Sequence, residues 1–346
     1  MRFGAAFWIQ RTDWPSLRDA ALAAEAAGFD SIWVDDHLLN DEGDPRADKL
    51  EGWTTLAGLA TITSRVALGH LVAANTFRNP GLIAKQATTI DHLSGGRLVL
   101  GLGGGWFERE HDAFGFEFGA GFGERLDRLD EAVGLIRHLL DGETVTHDGR
   151  FYRMRDAICR PRPVQAHLPI LIGGSGRTKT LRIAARYADL WNGYGEPERI
   201  AEVSGWLQER CAEAGRPFEE IRRSVVMDVV VRDTAAAART AYAAVAERHG
   251  IAAQRRGADD LERGLGAGGP PGDVAVLIAA YAALGVNEVM WIFRDPFDLE
   301  TIRWLPAVRA AMGQPEATSS DVPTASVPAP APAPAPSSSR ISAAGR

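Results

Sequence analysis

Residues 66–106 read VALGHLVAANTFRNPGLIAKQATTIDHLSGGRLVLGLGGGW, and this stretch decides the fold. Its opening run, 66–72, is short and mostly apolar, as expected of a strand buried on both faces. Residues 80–93 follow as an amphipathic helix with Pro80 in its first turn, where a missing N–H costs nothing. A second apolar run, 98–102, leads directly into three glycines and Trp106. Strand, helix, strand is the unit from which parallel sheets covered by helices are built.

The same unit repeats outward in both directions. Upstream, 3–9 reads as a strand. Residues 14–27 read as a helix with Leu17, Ala20, Ala21 and Ala24 on one face, ending at Gly28; strand 31–34 and helix 54–63 follow. Downstream, Leu126, Leu129, Val133, Ile136 and Leu140 recur at helical spacing over 123–140. Residues 145–155, turning at His147-Asp148-Gly149, read as a hairpin outside the alternation. Strands at 169–172, 189–191, 225–231 and 288–293 then alternate with helices at 178–187, 200–214, 234–248, 273–284 and 299–312. Eight strand–helix repeats in one block predict an α/β fold of the (β/α)8 TIM-barrel kind rather than an open doubly wound sheet.

Composition agrees with a single packed domain. The 346 residues are 45% hydrophobic and 24% charged, far from the composition of disordered chains. A net charge of -7 has the wrong sign for a general nucleic-acid binder. No apolar run reaches membrane-spanning length, and the apolar N-terminal stretch breaks too early for a signal peptide, which gives a cytoplasmic expectation with no membrane partner. Cys159 and Cys211 match no metal or disulfide pattern. From residue 314 to 346, alternating Ala and Pro with Ser can bury nothing large. The expected division is therefore a barrel domain over 1–313 and a disordered tail over 314–346.

In such a barrel the chemistry lies at the C-terminal ends of the strands. After strand two comes Asp35-Asp36-His37, where His37 reads as an acid–base group or as a solvated loop histidine. After strand three, 70–80 offers small residues that let a flat ligand approach the backbone, or simply a tight rim before Pro80. After strand four, Gly103, Gly104 and Gly105 remove side chains facing the mouth, which suits a planar ring; the spacing is not that of a dinucleotide fingerprint. After strand five, Gly173-Gly174-Ser175-Gly176-Arg177-Thr178-Lys179-Thr180 opens a helix. Thr178 occupies the position of the glycine a P-loop requires, so a P-loop nucleotidase is excluded. A glycine-rich turn at a helix start still makes an anion site, with Arg177 and Lys179 adding positive charge. No metal-ligand cluster and no serine nucleophile elbow is present. A phosphorylated planar redox cofactor fits this inventory best.

These motifs together resemble the bacterial-luciferase-like flavin and deazaflavin oxidoreductases. The resemblance runs from about residue 2 to 312 and rests on Arg78-Asn79-Pro80, Ala84-Lys85, residues 90–97 (IDHLSGGR), the glycine loop at 101–106 and residues 108–115. Gly123-Glu124-Arg125, residues 161–165 (PRPVQ), the loop at 172–176 and residues 188–192 (ADLWN) extend it. It implies an oxidoreductase that moves hydride between coenzyme F420 and a small organic substrate. The alternatives are an FMN-dependent monooxygenase that uses O2, of the alkanesulfonate monooxygenase type, and a non-catalytic flavin-binding protein. By the same resemblance, Asp36 and His37 form an acid–histidine pair beside the cofactor ring, with His37 as proton donor. Leu71–Val72 matches the strand-three bulge where the family often has a non-prolyl cis peptide, with Ala74 beside it. Gly104, Gly105 and Trp106 border the ring, and Gly174, Ser175, Gly176, Arg177 and Thr178 cradle the phosphate.

One departure matters. Sugar-phosphate dehydrogenases of the family carry a glutamate after the strand-four glycines, where this chain has Trp106; Glu108 and Glu110 are out of register. Sugar-phosphate oxidation is therefore not the expected reaction. The expected partners are a small-molecule substrate, a second copy of the chain, since family members are often dimers, and a flavin or F420 reductase that supplies reduced cofactor. The loops that would define the substrate, 41–50, 113–122 and 250–271, are the least patterned. Within the last of them, 255–271 reads as a mobile lid or as a disordered insertion.

Overall fold

The computed structural model describes residues 1–251 and 264–314. The expected tail, from residue 315 on, and most of the expected lid lie outside the described residues. Eight parallel strands close a barrel: β1 (Arg2–Phe7), β2 (Ser31–Val34), β3 (Ala67–His70), β5 (Leu98–Gly103), β8 (Ile170–Gly173), β9 (Leu190–Gly193), β10 (Arg222–Val231) and β12 (Glu288–Phe293). Closure is made by β12 on β1, with Arg2 opposite Glu288 and Phe7 opposite Phe293. A short β4 (Ala73–Ala74) continues the line of β3 and pairs with the end of β5. The predicted hairpin is present as antiparallel β6 (Thr144–Asp148) and β7 (Arg153–Ile158).

The helices lie where periodicity places them. They are α1 (Trp14–Ala26), α2 (Gly52–Ile62), α3 (Pro80–Ser94), α5 (Phe122–Leu140), α6 (Thr180–Tyr187), α7 (Pro197–Ala214), α8 (Ala235–Arg248) and α9 (Pro271–Ala283). Local capping sets several of their starts. Asp13 accepts the Ser16 N–H ahead of α1, Asn79 accepts the Gly81 N–H ahead of α3, and Thr234 accepts the Ala237 N–H ahead of α8. Gly95 and Gly215 end α3 and α7 in the left-handed conformation that favours glycine.

Three elements differ from expectation. The predicted terminal helix is two, α10 (Leu299–Arg303) and α11 (Leu305–Ala311), broken at Trp304 just before Pro306. A short helix, α4 (Glu108–Phe114), was not predicted. Part of 255–271, read as a lid or insertion, is instead ordered sheet: β11 (Ala267–Gly269) pairs in parallel with Val229–Val231.

Two apolar layers hold the barrel. The outer one packs helix faces on strand backs, and the inner one fills the lumen with Ala6, Trp33, Val99, Leu171, Leu190 and Met290. Trp33 fits only because its neighbours lack side chains: a Cβ on Gly69 would lie 2.4 Å from its ring, and one on Gly4 would lie 3.0 Å from its Nε1. Its indole N–H donates to Ser31 Oγ at 2.7 Å, and that hydroxyl bonds Glu288, so the polar atom of this large lumen side chain is paired. Leu71, Val72, Trp8 and Val226 cap this layer at the C-terminal end and form the floor of the mouth.

Gly205, within α7, has open space around its Cα. Gly205→Ala is expected to raise stability by about 0.5–1 kcal/mol, because alanine restricts the unfolded chain and suits a helix interior. Chemical denaturation checks this, and a loss of stability would refute it.

Candidate active site

The strand ends surround a cavity of about 560 Å³. Its walls come from the loop after β2, the β3–β4 bulge, the loop after β5, α4, the start of α5, the loop after β8, and the start of α7. Of the residues singled out from sequence, Asp36, His37, Leu71, Val72, Ala74, Gly104, Gly105, Trp106, Gly174, Ser175 and Gly176 all line it.

One end holds an acid–histidine constellation. His37 Nδ1 lies 2.9 Å from Glu110 Oε1, and the other Glu110 oxygen accepts the Leu38 N–H at 2.8 Å. The carboxylate can only accept here, so Nδ1 carries the proton and Nε2 is free to give or take one. Asp41 stands 3.9 Å from Nε2. Burial works against a charged imidazole, but the Glu110 hydrogen bond and the charges of Asp41 and Asp35 outweigh it and hold the His37 pKa above its ordinary value. Asp36 is buried, with Oδ2 accepting from Arg78 at 2.8 Å and from the Ala74 N–H at 3.1 Å, while Oδ1 has no hydrogen-bond partner among the described residues. Burial, only partly offset by Arg78, pushes its pKa up to about 6. His70 is fully buried against Trp53, and burial pushes its pKa down to about 4, so it stays neutral in the barrel wall.

Glu110 corrects the sequence reading, which set it aside as out of register. It stands four residues beyond Trp106, and α4 turns it inward until it is 1% exposed. The sequence EREHDAF shows no apolar stripe, so hydrophobic periodicity could not find this helix. The only usable signal was a carboxylate just past a glycine turn at a strand end.

The middle of the cavity is the β3–β4 bulge, where the Leu71–Val72 peptide is cis. The glycines around it have a more specific purpose than bare access for a ring. A Cβ on Gly103 would lie 2.5 Å from Val72 Cγ2, and one on Gly173 would lie 2.9 Å from Val72 Cγ1. Both strands give up side chains so that Val72 can rise between them as the central platform.

At the far end, the Gly173–Gly176 loop is pinned from behind. The Gly174 N–H donates to Asn192 O at 3.0 Å, and Trp191 Nε1 donates to Gly174 O at 2.8 Å. Gly174 sits at φ +116°, which favours glycine. Ser175 Oγ is buried with no hydrogen-bond partner among the described residues. A buried orphan hydroxyl beside a glycine turn fits a bound anion. The charge expected from Arg177 and Lys179 is a second correction. Arg177 and Thr178 are exposed and do not line the cavity; Arg177 faces Glu209 at 3.4 Å, and Lys179 is held by Asp127 at 2.5 Å and Gly123 O at 2.9 Å. The reason is geometric: the Leu181 N–H bonds back to Gly176 O, so residues 177–179 form an outward turn. Thr180 and Arg199 face the cavity in their place.

The sequence profile described as luciferase-like monooxygenase matches residues 1–288. The chain belongs to this family. It is an enzyme, a luciferase-like oxidoreductase, with F420-dependent proteins among its relatives. It is 35% identical over 238 residues to the F420-dependent glucose-6-phosphate dehydrogenase of Microbacterium testaceum, an alignment covering 67% of this chain and 68% of that one. It is 32% identical over 272 residues to pyrimidine monooxygenase RutA of Methylobacterium radiotolerans, covering 71% of each. The fold matches that of an F420-dependent secondary alcohol dehydrogenase solved with an F420–acetone adduct. The TM-score is 0.78 at 20% identity, covering 90% of this chain and 98% of the other. No helix among the described residues is long and apolar enough to cross a membrane.

Proposed function

We propose that this oxidoreductase uses coenzyme F420 to move hydride to or from a small organic substrate, working in the cytoplasm. One observation carries the reading. A single cavity joins a histidine poised for proton transfer, a raised apolar platform and a glycine–serine loop with an unsatisfied hydroxyl. The residues fit a phosphorylated planar cofactor. Ser175, Gly176 and Thr180 would hold the phosphate, Leu71, Val72 and Ala74 would support the ring, and Gly104 and Gly105 would leave its edge open.

Bound there, the deazaflavin would supply or accept one hydride. The chain's own part is proton handling and orientation. Glu110 fixes the His37 ring through Nδ1 and favours its charged form, which suits His37, a residue of the cavity lining, to donate a proton to a substrate oxygen. Asp36 fixes the Ala74 N–H and Arg78, and so the bulge carrying Val72. Arg177 and Thr178 stand outside this reading because they face solvent.

Relatedness to the F420-dependent glucose-6-phosphate dehydrogenase supports F420; relatedness to pyrimidine monooxygenase RutA supports a monooxygenase as the second reading, for which FMN is the proposed cofactor. Titration separates them. F420 is expected to bind in the micromolar range, and FMN at least about tenfold more weakly, which corresponds to roughly 1.4 kcal/mol. Tighter FMN binding, with O2 consumption when a flavin reductase is supplied, would overturn the F420 assignment. Binding of either cofactor with no turnover of any substrate would favour a non-catalytic flavin-binding protein. In the reducing direction the F420 reading would need a reductase that supplies reduced F420, and a homodimer is the proposed assembly because family members are often dimers.

A further inference from the structure

The cavity's outer wall carries information that the cofactor reading does not use. Large aromatic side chains are normally sheltered, and exposed ones gathered at one place mark a binding surface. Four aromatic residues stand out as exposed: Trp106 at 58%, Phe114 at 53%, Phe122 at 51% and Tyr194 at 70%. Three of them, Trp106, Phe122 and Tyr194, line this one cavity. Trp106 is also ordered: it stacks on Phe107 with ring centroids 5.4 Å apart and stands edge-on to His37 at 5.5 Å. An indole is thus held beside the imidazole that would serve the substrate.

Charge points the same way. The carboxylates of Asp35, Asp36 and Glu110 line the cavity, and Asp41 faces His37. Arg199 is the one lining arginine or lysine among the described residues. It pairs with Glu202 and shares the Trp206 ring with Arg177, which places it at the glycine-loop end. A phosphate or sulfonate group on the substrate would meet Asp35, Asp36 and Glu110 near His37, while Arg78 and Lys49, which do not line the cavity, are already taken up by the two aspartates.

Resting on the reading above, we propose that the substrate is a neutral molecule with a flat apolar body and one carbonyl or hydroxyl group, packed against Trp106 with its oxygen toward His37. In the reducing direction the carbonyl carbon gains a hydride, with its electron pair, from the reduced deazaflavin, which is oxidised. The C=O π bond opens onto oxygen, and that oxygen takes a proton from protonated His37. The product is the alcohol, and His37 regains its proton from solvent. Trp106 is then a specificity residue.

Calorimetric titration of the full chain, with and without F420, tests this using 2-acetonaphthone, octanesulfonate and glucose 6-phosphate. The naphthyl ketone is expected to bind at least about tenfold more tightly than either anion, and Trp106→Ala to weaken it by roughly fivefold or more, as loss of an aromatic contact requires. Trp106→Arg should lose the ketone and gain octanesulfonate. Equal or tighter binding of an anion by the wild type, or unchanged ketone binding in Trp106→Ala, overturns the proposal. F420 titrated alone keeps the two readings apart. Ketone binding without F420 binding sinks the cofactor assignment and supports the substrate class; F420 binding without ketone binding does the reverse.

Discussion

Replacing His37 with asparagine is expected to lower kcat by roughly 10²–10⁴-fold, the usual contribution of a positioned acid–base group. F420 affinity should change little, because the phosphate loop and the Val72 platform are untouched. The supporting acid makes the test sharper. Glu110 helps to hold the His37 pKa above its ordinary value, so a His37 acting as proton donor stays charged to higher pH than a free histidine would. Activity in the reducing direction should therefore fall as pH rises through that pKa. Glu110→Gln removes a charge that favours the imidazolium but keeps a hydrogen-bonding group, so this alkaline limb should move to lower pH. A pH–rate profile of kcat in both variants measures the effect. Full activity in His37→Asn, or an unmoved limb in Glu110→Gln, would remove the pair from the mechanism.

The second large effect is on folding. Gly101 lies in β5 where the chain after β3 leaves its regular path, and a Cβ built there falls 1.9 Å from the His70 carbonyl oxygen. The obstacle is backbone, so no side-chain rotation relieves it. Moving the carbonyl would separate β3 from β5 and disturb His70 against Trp53. Gly101→Ala is expected to cost more than about 4 kcal/mol, within the range reserved for severe overpacking, or to prevent folding. Chemical denaturation and soluble yield report it; a loss below about 1 kcal/mol would show that the bulge relaxes freely.

Much of this architecture is legible in the chain because its rules are local. Eight apolar runs of strand length, each followed by an amphipathic helix, carry the repeat, and the 288–293 strand coincides with its predicted bounds. Most of the cavity-lining positions follow once strand ends are known. What escaped depends on non-local placement. Glu110 is polar in sequence and buried in space, because a seven-residue helix folds it against His37 and the Leu38 N–H. Arg177 lies next to a glycine loop in sequence yet turns outward, since the backbone bond from Leu181 to Gly176 sets the direction of the turn. The strand Ala267–Gly269 carries only small residues and becomes a strand by docking on Val229–Val231.

The seam of the barrel also sets a timetable. β1 occupies residues 2–7, and its partner on one side, β12, is not complete until residue 293. At a synthesis rate of roughly 5–20 residues per second, the first strand waits about 15–60 s for that neighbour. During the wait it can pair with β2, but its other edge, and the lumen that Trp33 will fill, stay open to solvent and to other chains. The last strand is therefore a latch as well as a wall, and the nascent chain depends on being shielded until it arrives.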